Sequence, residues 1–282
     1  MAYWLNGAVH RDQEKFHIAD RGFLLGDGLF ETLRVIKGKP IFLKQHLERL
    51  RASALALKLS VPYDDIEILS AIASLVSYNN FDDKEASIRI TLTRGVGRRG
   101  LALPVTPAPL LLITCSELKP QNSAYARLMV SRYRRSEHSV TSHHKTLNYL
   151  DNVMAKAEAA EKNADEAIML NSEGRIACAA AANIFSISNE GTLLTPALGE
   201  GALRGVTRAV LLRCTRQLGI DVIETKLSVS DLNGCDIFLT NSLIGILPGR
   251  LDASPEKTIR QDVMSGLKSC YEAEVNRELC GE

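Results

Sequence analysis

Apolar and polar positions alternate from the first residues of the chain. "YWLNGAVH" reads as a strand, a turn at Asn6-Gly7 and a return strand. "GLFETLRVIKGKPIFL" repeats the pattern around a turn at Lys37-Gly38-Lys39-Pro40. The period then changes. "LKQHLERLRASALALKL" sets Leu43, Leu47, Leu50, Leu55 and Leu57 at helical spacing, and "PYDDIEILSAIASLVSYNN" predicts a second helix opened by Pro62 and Asp64-Asp65. "ASIRITLTRG" and "APLLLITCSEL" return to strand, separated by a loop rich in glycine and arginine. The resulting β-β-α-α-β-β order makes an α+β layer arrangement.

The polar stretch "KPQNSAYA", residues 119–126, is the expected linker between a domain at 1–118 and a second at 127–282. The second domain predicts strand "RLMVSRYRR", helix "LDNVMAKAEAAEKN", strand "EAIMLN", turn "SEGR", and strands "NIFSISN" and "TLLTPA". Helix "GVTRAVLLRCTRQLG" and strands "DVIETKL" and "CDIFLTNS" follow. It is mixed α and β, with strands that pair over long separations.

Composition narrows the classes. With 282 residues, the chain is long enough for one large or two ordinary cores. A net charge of +1 gives no global field for nucleic acid or an anionic membrane, and runs such as "APLLLIT" are too short to span a bilayer. The opening turns polar within ten residues, unlike a secretory signal. Six cysteines without C-x-x-C spacing read as reduced thiols, so the expected compartment is the cytoplasm and no metal site is expected.

Four stretches could carry chemistry. Lys145 follows His143 and His144 and precedes Thr146, Leu147 and Tyr149, just before a helix. A lysine partly desolvated beside other cations becomes a nucleophilic amine, whereas most lysines are surface residues. Gly205, Val206 and Thr207 open a helix whose first N–H groups and hydroxyl suit a phosphate; the plain alternative is a threonine N-cap behind a glycine turn. Arg49 is a second phosphate candidate or an exposed helix arginine. Arg94, Arg98 and Arg99 lie in "TRGVGRRGL", which suits a carboxylate ligand or a solvated loop, and "RGFLLGDGLFET" is by itself a turn signal.

Taken in order, "DRGFLLGDGLFET", "KTLNYLDNVMAKAEA", "ADEAIMLNSEGRI…ANIF", "GVTR" and "FLTNSLIGILP" resemble the fold type IV, class IV pyridoxal-phosphate enzymes. That family includes branched-chain and D-amino acid aminotransferases and 4-amino-4-deoxychorismate lyases. The resemblance implies a smaller N-terminal α/β domain and a larger C-terminal domain with a barrel-like sheet. It implies that Lys145 forms the Schiff base with pyridoxal 5'-phosphate and then moves the proton. By the same resemblance Tyr149 would bond the cofactor's phenolic oxygen, and Arg49, Val206 and Thr207 its phosphate. Ser242 and Leu243 match a turn near the phosphate and the substrate carboxylate, and Phe30 matches the substrate pocket. Arg98 or Arg99 would grip a carboxylate, reaching in from a neighbouring subunit of a homodimer. The expected partners are small amino and oxo acids, with neither nucleic acid nor membrane.

Cys178 departs from the pattern. Five residues before the Asn of "ANIF", the family carries a glutamate that pairs with the cofactor's ring nitrogen; here it is a cysteine among alanines. A thiol is a weak donor, and an apolar wall should keep it neutral. The expected activity is transamination of a small amino acid, D configuration included. Pyruvate release from aminodeoxychorismate is the alternative, and a catalytically weakened cofactor-binding protein stands behind both.

Overall fold

The computed structural model describes residues 1–11, 17–119, 123–251 and 260–281. Part of the expected linker, residues 120–122, therefore lies outside the described residues. The chain divides into two compact units. The first holds Met1–Pro120, Lys145–Asn148 and Glu278–Glu282; the second holds Gln121–His144 and Tyr149–Arg277.

In the first unit, β1 (Tyr3–Leu5) and β2 (Ala8–His10) form the opening hairpin, with Asn6 and Gly7 both at positive φ in the turn. Helix α1 (Arg21–Leu25) is capped by Asp20, whose carboxylate accepts from the N–H groups of Gly22 and Phe23. Then come β3 (Gly28–Ile36), β4 (Lys39–Pro40), α2 (Leu43–Ala56), α3 (Asp65–Tyr78), β5 (Glu85–Thr93) and β6 (Leu110–Glu117). The sheet order is β2-β1-β6-β5-β3-β4, and all of its pairs are antiparallel. One face of β3 and β5, carrying Leu29, Leu33, Val35, Ile88, Ile90 and Leu92, packs in a core with Leu47 and Leu50 of α2 and Ile68, Ile72 and Leu75 of α3. Asp64 and Glu67 close a reciprocal capping box at the start of α3. On α2 the buried stripe continues through Ala54, whereas Leu55 is exposed. The expected apolar face was therefore one position out of phase at its end.

The second unit contains β7 (Ala126–Arg134), α4 (Val140–His143), α5 (Leu150–Glu161), β8 (Glu166–Leu170), β9 (Ile176–Ala179), β10 (Asn183–Ile187), β11 (Leu193–Pro196), α6 (Val206–Leu218), β12 (Val222–Thr225), β13 (Asp236–Asn241), β14 (Gly245–Leu251) and α7 (Gln261–Cys280). The last residues of α7, from Glu278, group with the first unit. The second unit's sheet runs β12-β11-β10-β13-β14-β7-β8-β9. β9 ends that order, and β10 stands five strands away, yet only Ala180–Ala182 join them in the chain. Five flat strand spacings would need about 24 Å, whereas the four steps from Ala179 to Asn183 reach roughly 14 Å. The sheet must curl, which gives the expected barrel-like form. Among the described residues, no helix is long and apolar enough to cross a membrane.

Candidate active site

In the first unit, Lys145 is held by backbone. The start of β3 pairs with the segment after α4: Phe30 N–H donates to Lys145 O at 2.8 Å, Leu147 N–H to Gly28 O at 3.0 Å, and Leu29 bridges Thr146. A Cβ on Gly28 would meet Leu147 Cδ1 at 2.8 Å, so glycine permits this approach. The half-buried Lys145 then lays Nζ 4.3 Å from the centroid of the Phe30 ring, and Arg89 places its guanidinium carbon 3.9 Å from that centroid. Strand alternation turns Glu31 to the opposite face of β3. There its carboxylate accepts from Arg49 Nε at 2.8 Å and Nη2 at 2.6 Å, with His46 Nδ1 at 2.7 Å. Burial pushes the Glu31 carboxyl up, but the Arg49 charge and the bonds from Arg49 and His46 outweigh it and hold the pKa at about 2.

The arginine loop differs from expectation at one residue. Arg94 is buried, donating Nε to Asp27 Oδ2 at 2.8 Å and its terminal nitrogens to the carbonyls of Lys58 and Leu57. It is a structural clamp, because a buried guanidinium needs all its donors satisfied. Asp27 also accepts from Arg21 Nε at 2.8 Å, and Arg21 in turn bonds the carbonyls of Gly100, Leu101 and Ala102. Arg98 and Arg99 are exposed on the loop so tethered, and the arginine stacked on Phe30 is Arg89.

In the second unit, α6 begins at Val206 with Gly205 as N-cap and no side-chain cap. Its first-turn N–H groups are thus available to an anion. Thr207 Oγ1 is buried there without a hydrogen-bond partner among the described residues, as is Thr240 Oγ1 on β13. Thr240 pairs in register with Asn183, and a Cβ on Gly205 would collide with Asn183 Oδ1. A buried hydroxyl left unbonded is destabilising unless a ligand completes it, so this cup fits a phosphate. Thr207 is the second residue of the helix, so the plain N-cap alternative does not hold.

Tyr149 is the half-buried N-cap of α5. One turn on, Asn152 donates Nδ2 to Ala180 O at 2.7 Å, tying the start of α5 to the alanine run. Cys178 lies in that run on β9, opposite Met169 and packed with Met129, Ala155, Ala159, Ala167 and Ala177. Burial pushes its thiol above the ordinary range, with the charge of Arg135 opposing, so it is neutral near pH 7. Ser242 and Leu243 are half-buried in the turn after β13. The Leu243 N–H, together with that of Ile244, is taken by Asn241 Oδ1 at 2.9 Å.

The family profile described as amino-transferase class IV matches residues 28–251. The chain belongs to the class IV aminotransferases. This family uses pyridoxal 5'-phosphate, whose aldehyde a lysine amine can hold and whose phosphate the α6 cup fits. A Methanocaldococcus jannaschii protein carrying the provisional name of branched-chain-amino-acid aminotransferase is 33% identical, covering 88% of this chain and 86% of its own length. The D-alanine aminotransferase of Listeria monocytogenes serotype 1/2a is 31% identical, covering 86% and 84%. The crystal structure of 4-amino-4-deoxychorismate lyase from Pseudomonas aeruginosa matches with a TM-score of 0.80 at 31% identity, over 95% of this chain and 98% of that one. The protein is therefore a pyridoxal-phosphate enzyme of class IV, an aminotransferase or a lyase.

Sequence reasoning passed over Glu31, His46 and Arg89, and took Thr240 and Asn241 only as part of "TNSL", a stretch that resembles the lyase branch. The signal for the first two was present: a glutamate inside an alternating strand, and a histidine and an arginine three apart on one helix face.

Proposed function

We propose that the enzyme transfers an amino group between a small amino acid, D configuration included, and a 2-oxo acid. The observation that carries this reading is the backbone pairing that sets Lys145 Nζ against Phe30. Bound pyridoxal 5'-phosphate supplies an electron sink for the carbanion formed at the substrate's α-carbon. Lys145 holds the cofactor through its amine and then carries the proton. Val206 and Thr207, with Arg49, hold the phosphate, Tyr149 orients the phenolic oxygen, and Ser242 lines the phosphate side. Phe30 shapes the substrate pocket. Arg89, stacked on that ring, joins Arg98 and Arg99 as a carboxylate grip. The exposed apolar side chains Phe23, Leu24, Leu25 and Leu101 support a homodimer, in which Arg98 or Arg99 reaches into the neighbouring site. The spacing of the six cysteines in the sequence supports a cytoplasmic enzyme.

One observation favours lyase chemistry as the second reading. Cys178 offers the ring nitrogen a neutral thiol, a weaker sink than a carboxylate partner makes, and elimination to an aromatic product asks less of the ring. The test is a panel of D- and L-amino acids with pyruvate or 2-oxoglutarate, run beside aminodeoxychorismate with detection of 4-aminobenzoate. New amino acid supports transamination. 4-Aminobenzoate with no turnover on the panel replaces it with the lyase reading.

A further inference from the structure

β3 has a different job on each face. Phe30 meets Lys145, and the next residue, Glu31, meets Arg49 and His46 on the buried side. Glu31 is 1% exposed and His46 0%. His46 and Arg49 stand three apart on α2, so one helix face delivers both groups to one carboxylate. Arg49 engages it through two nitrogens, each on its own oxygen, at 2.8 and 2.6 Å. That fork fixes the guanidinium plane as well as its position. His46 occupies the remaining approach at 2.7 Å. Burial pushes the imidazole's pKa down against the pull of Glu31, and the charges of Arg49 and Lys145 push it further, so the ring is a neutral donor through Nδ1–H.

A buried ion pair of this kind is a poor source of stability compared with apolar packing, and this one stands on the strand whose backbone holds the lysine. We propose that Glu31 is a positioning residue, which locks Arg49 in the pose that receives the cofactor phosphate. Because Glu31 and Phe30 are consecutive on one strand, the same backbone sets both the phosphate partner and the reactive amine. An arginine fixed before binding has less rotamer freedom to lose when the anion arrives. The inference rests on the reading of Arg49 as a phosphate partner.

The test compares two aldehydes that differ only in the phosphate. Apo-protein is titrated with pyridoxal 5'-phosphate and with pyridoxal, following the absorbance of the bound chromophore, for wild type, Glu31→Gln, Glu31→Asp and Arg49→Met. Glu31→Gln should weaken pyridoxal phosphate binding about tenfold while changing pyridoxal binding by less than about threefold. Glu31→Asp, which keeps the charge but draws it back, should fall between. Equal weakening of both aldehydes, or no change in either, overturns the proposal. Should Glu31→Gln fail to fold, Glu31→Asp carries the same comparison, and an unchanged ratio of the two affinities overturns it. Arg49→Met separates the two levels: if it leaves that ratio at the wild-type value, Arg49 is no phosphate partner and the underlying reading fails.

Discussion

Phe30 binds Lys145 twice: its N–H donates to the lysine carbonyl at 2.8 Å, and its ring lies 4.3 Å from Nζ. The backbone bond survives any side chain at position 30, whereas the ring contact does not. Phe30→Ala should therefore retain the bound cofactor's absorbance yet lower kcat/KM, on the order of tenfold to a hundredfold, through lost orientation of the amine. Loss of the cofactor band itself would show that the ring holds the binding site together.

Thr207 gives a prediction with opposite signs in two states. Its Oγ1 is buried and unbonded among the described residues, an arrangement that costs about 1–3 kcal/mol. Thr207→Val, nearly isosteric, should leave the Tm of the apo-protein unchanged or raise it, while weakening pyridoxal phosphate about tenfold. A lowered apo Tm with unaltered affinity would make the hydroxyl a structural group.

The Glu31 pairing should be visible in acid. Its folded pKa of about 2 lies below the ordinary 4.5, so the stabilisation is whole above pH 4.5 and is lost as pH falls through about 2. Trp4 is the sole tryptophan and sits in the first unit's core, so its fluorescence reports that unit's unfolding. The urea midpoint should drop between pH 5 and pH 3 more steeply in wild type than in Glu31→Gln; parallel slopes would remove Glu31 as the titrating group.

The proposed function gives Cys178 the place beside the cofactor's ring nitrogen. Replacing its neutral thiol with a carboxylate should strengthen the electron sink, so Cys178→Glu should raise transaminase turnover in the amino-donor panel. An unchanged or lower rate, with cofactor still bound, would mean that the thiol is not what limits the ring.

Much of the first unit was legible because buried and half-buried positions alternate along its strands: Leu33 and Val35 alternate with Thr32 and Arg34 in β3, and the acidic pair Asp64-Asp65 announces α3. Strand β9 was not, since "IACA" is buried on both sides and lacks the β-branched alternation that marks a strand; β14 went unread because Pro248 and Gly249 interrupt its apolar run. Helix α7 went unread as well: Met264, Leu267, Tyr271 and Glu274 mark its buried face, but polar residues interrupt the stripe. At the site, Lys145, Val206 and Thr207 were visible as local patterns. The Glu31–Arg49 pair was hidden because it spans 18 residues, a distance that only the packing of α2 on β3 closes.

The central claim is that the ε-amine of Lys145 carries the cofactor. Protein loaded with pyridoxal 5'-phosphate, reduced with borohydride and digested, should yield the peptide containing Lys145 with the mass of an added phosphopyridoxyl group. The same mass on another lysine, or on none, would contradict the account.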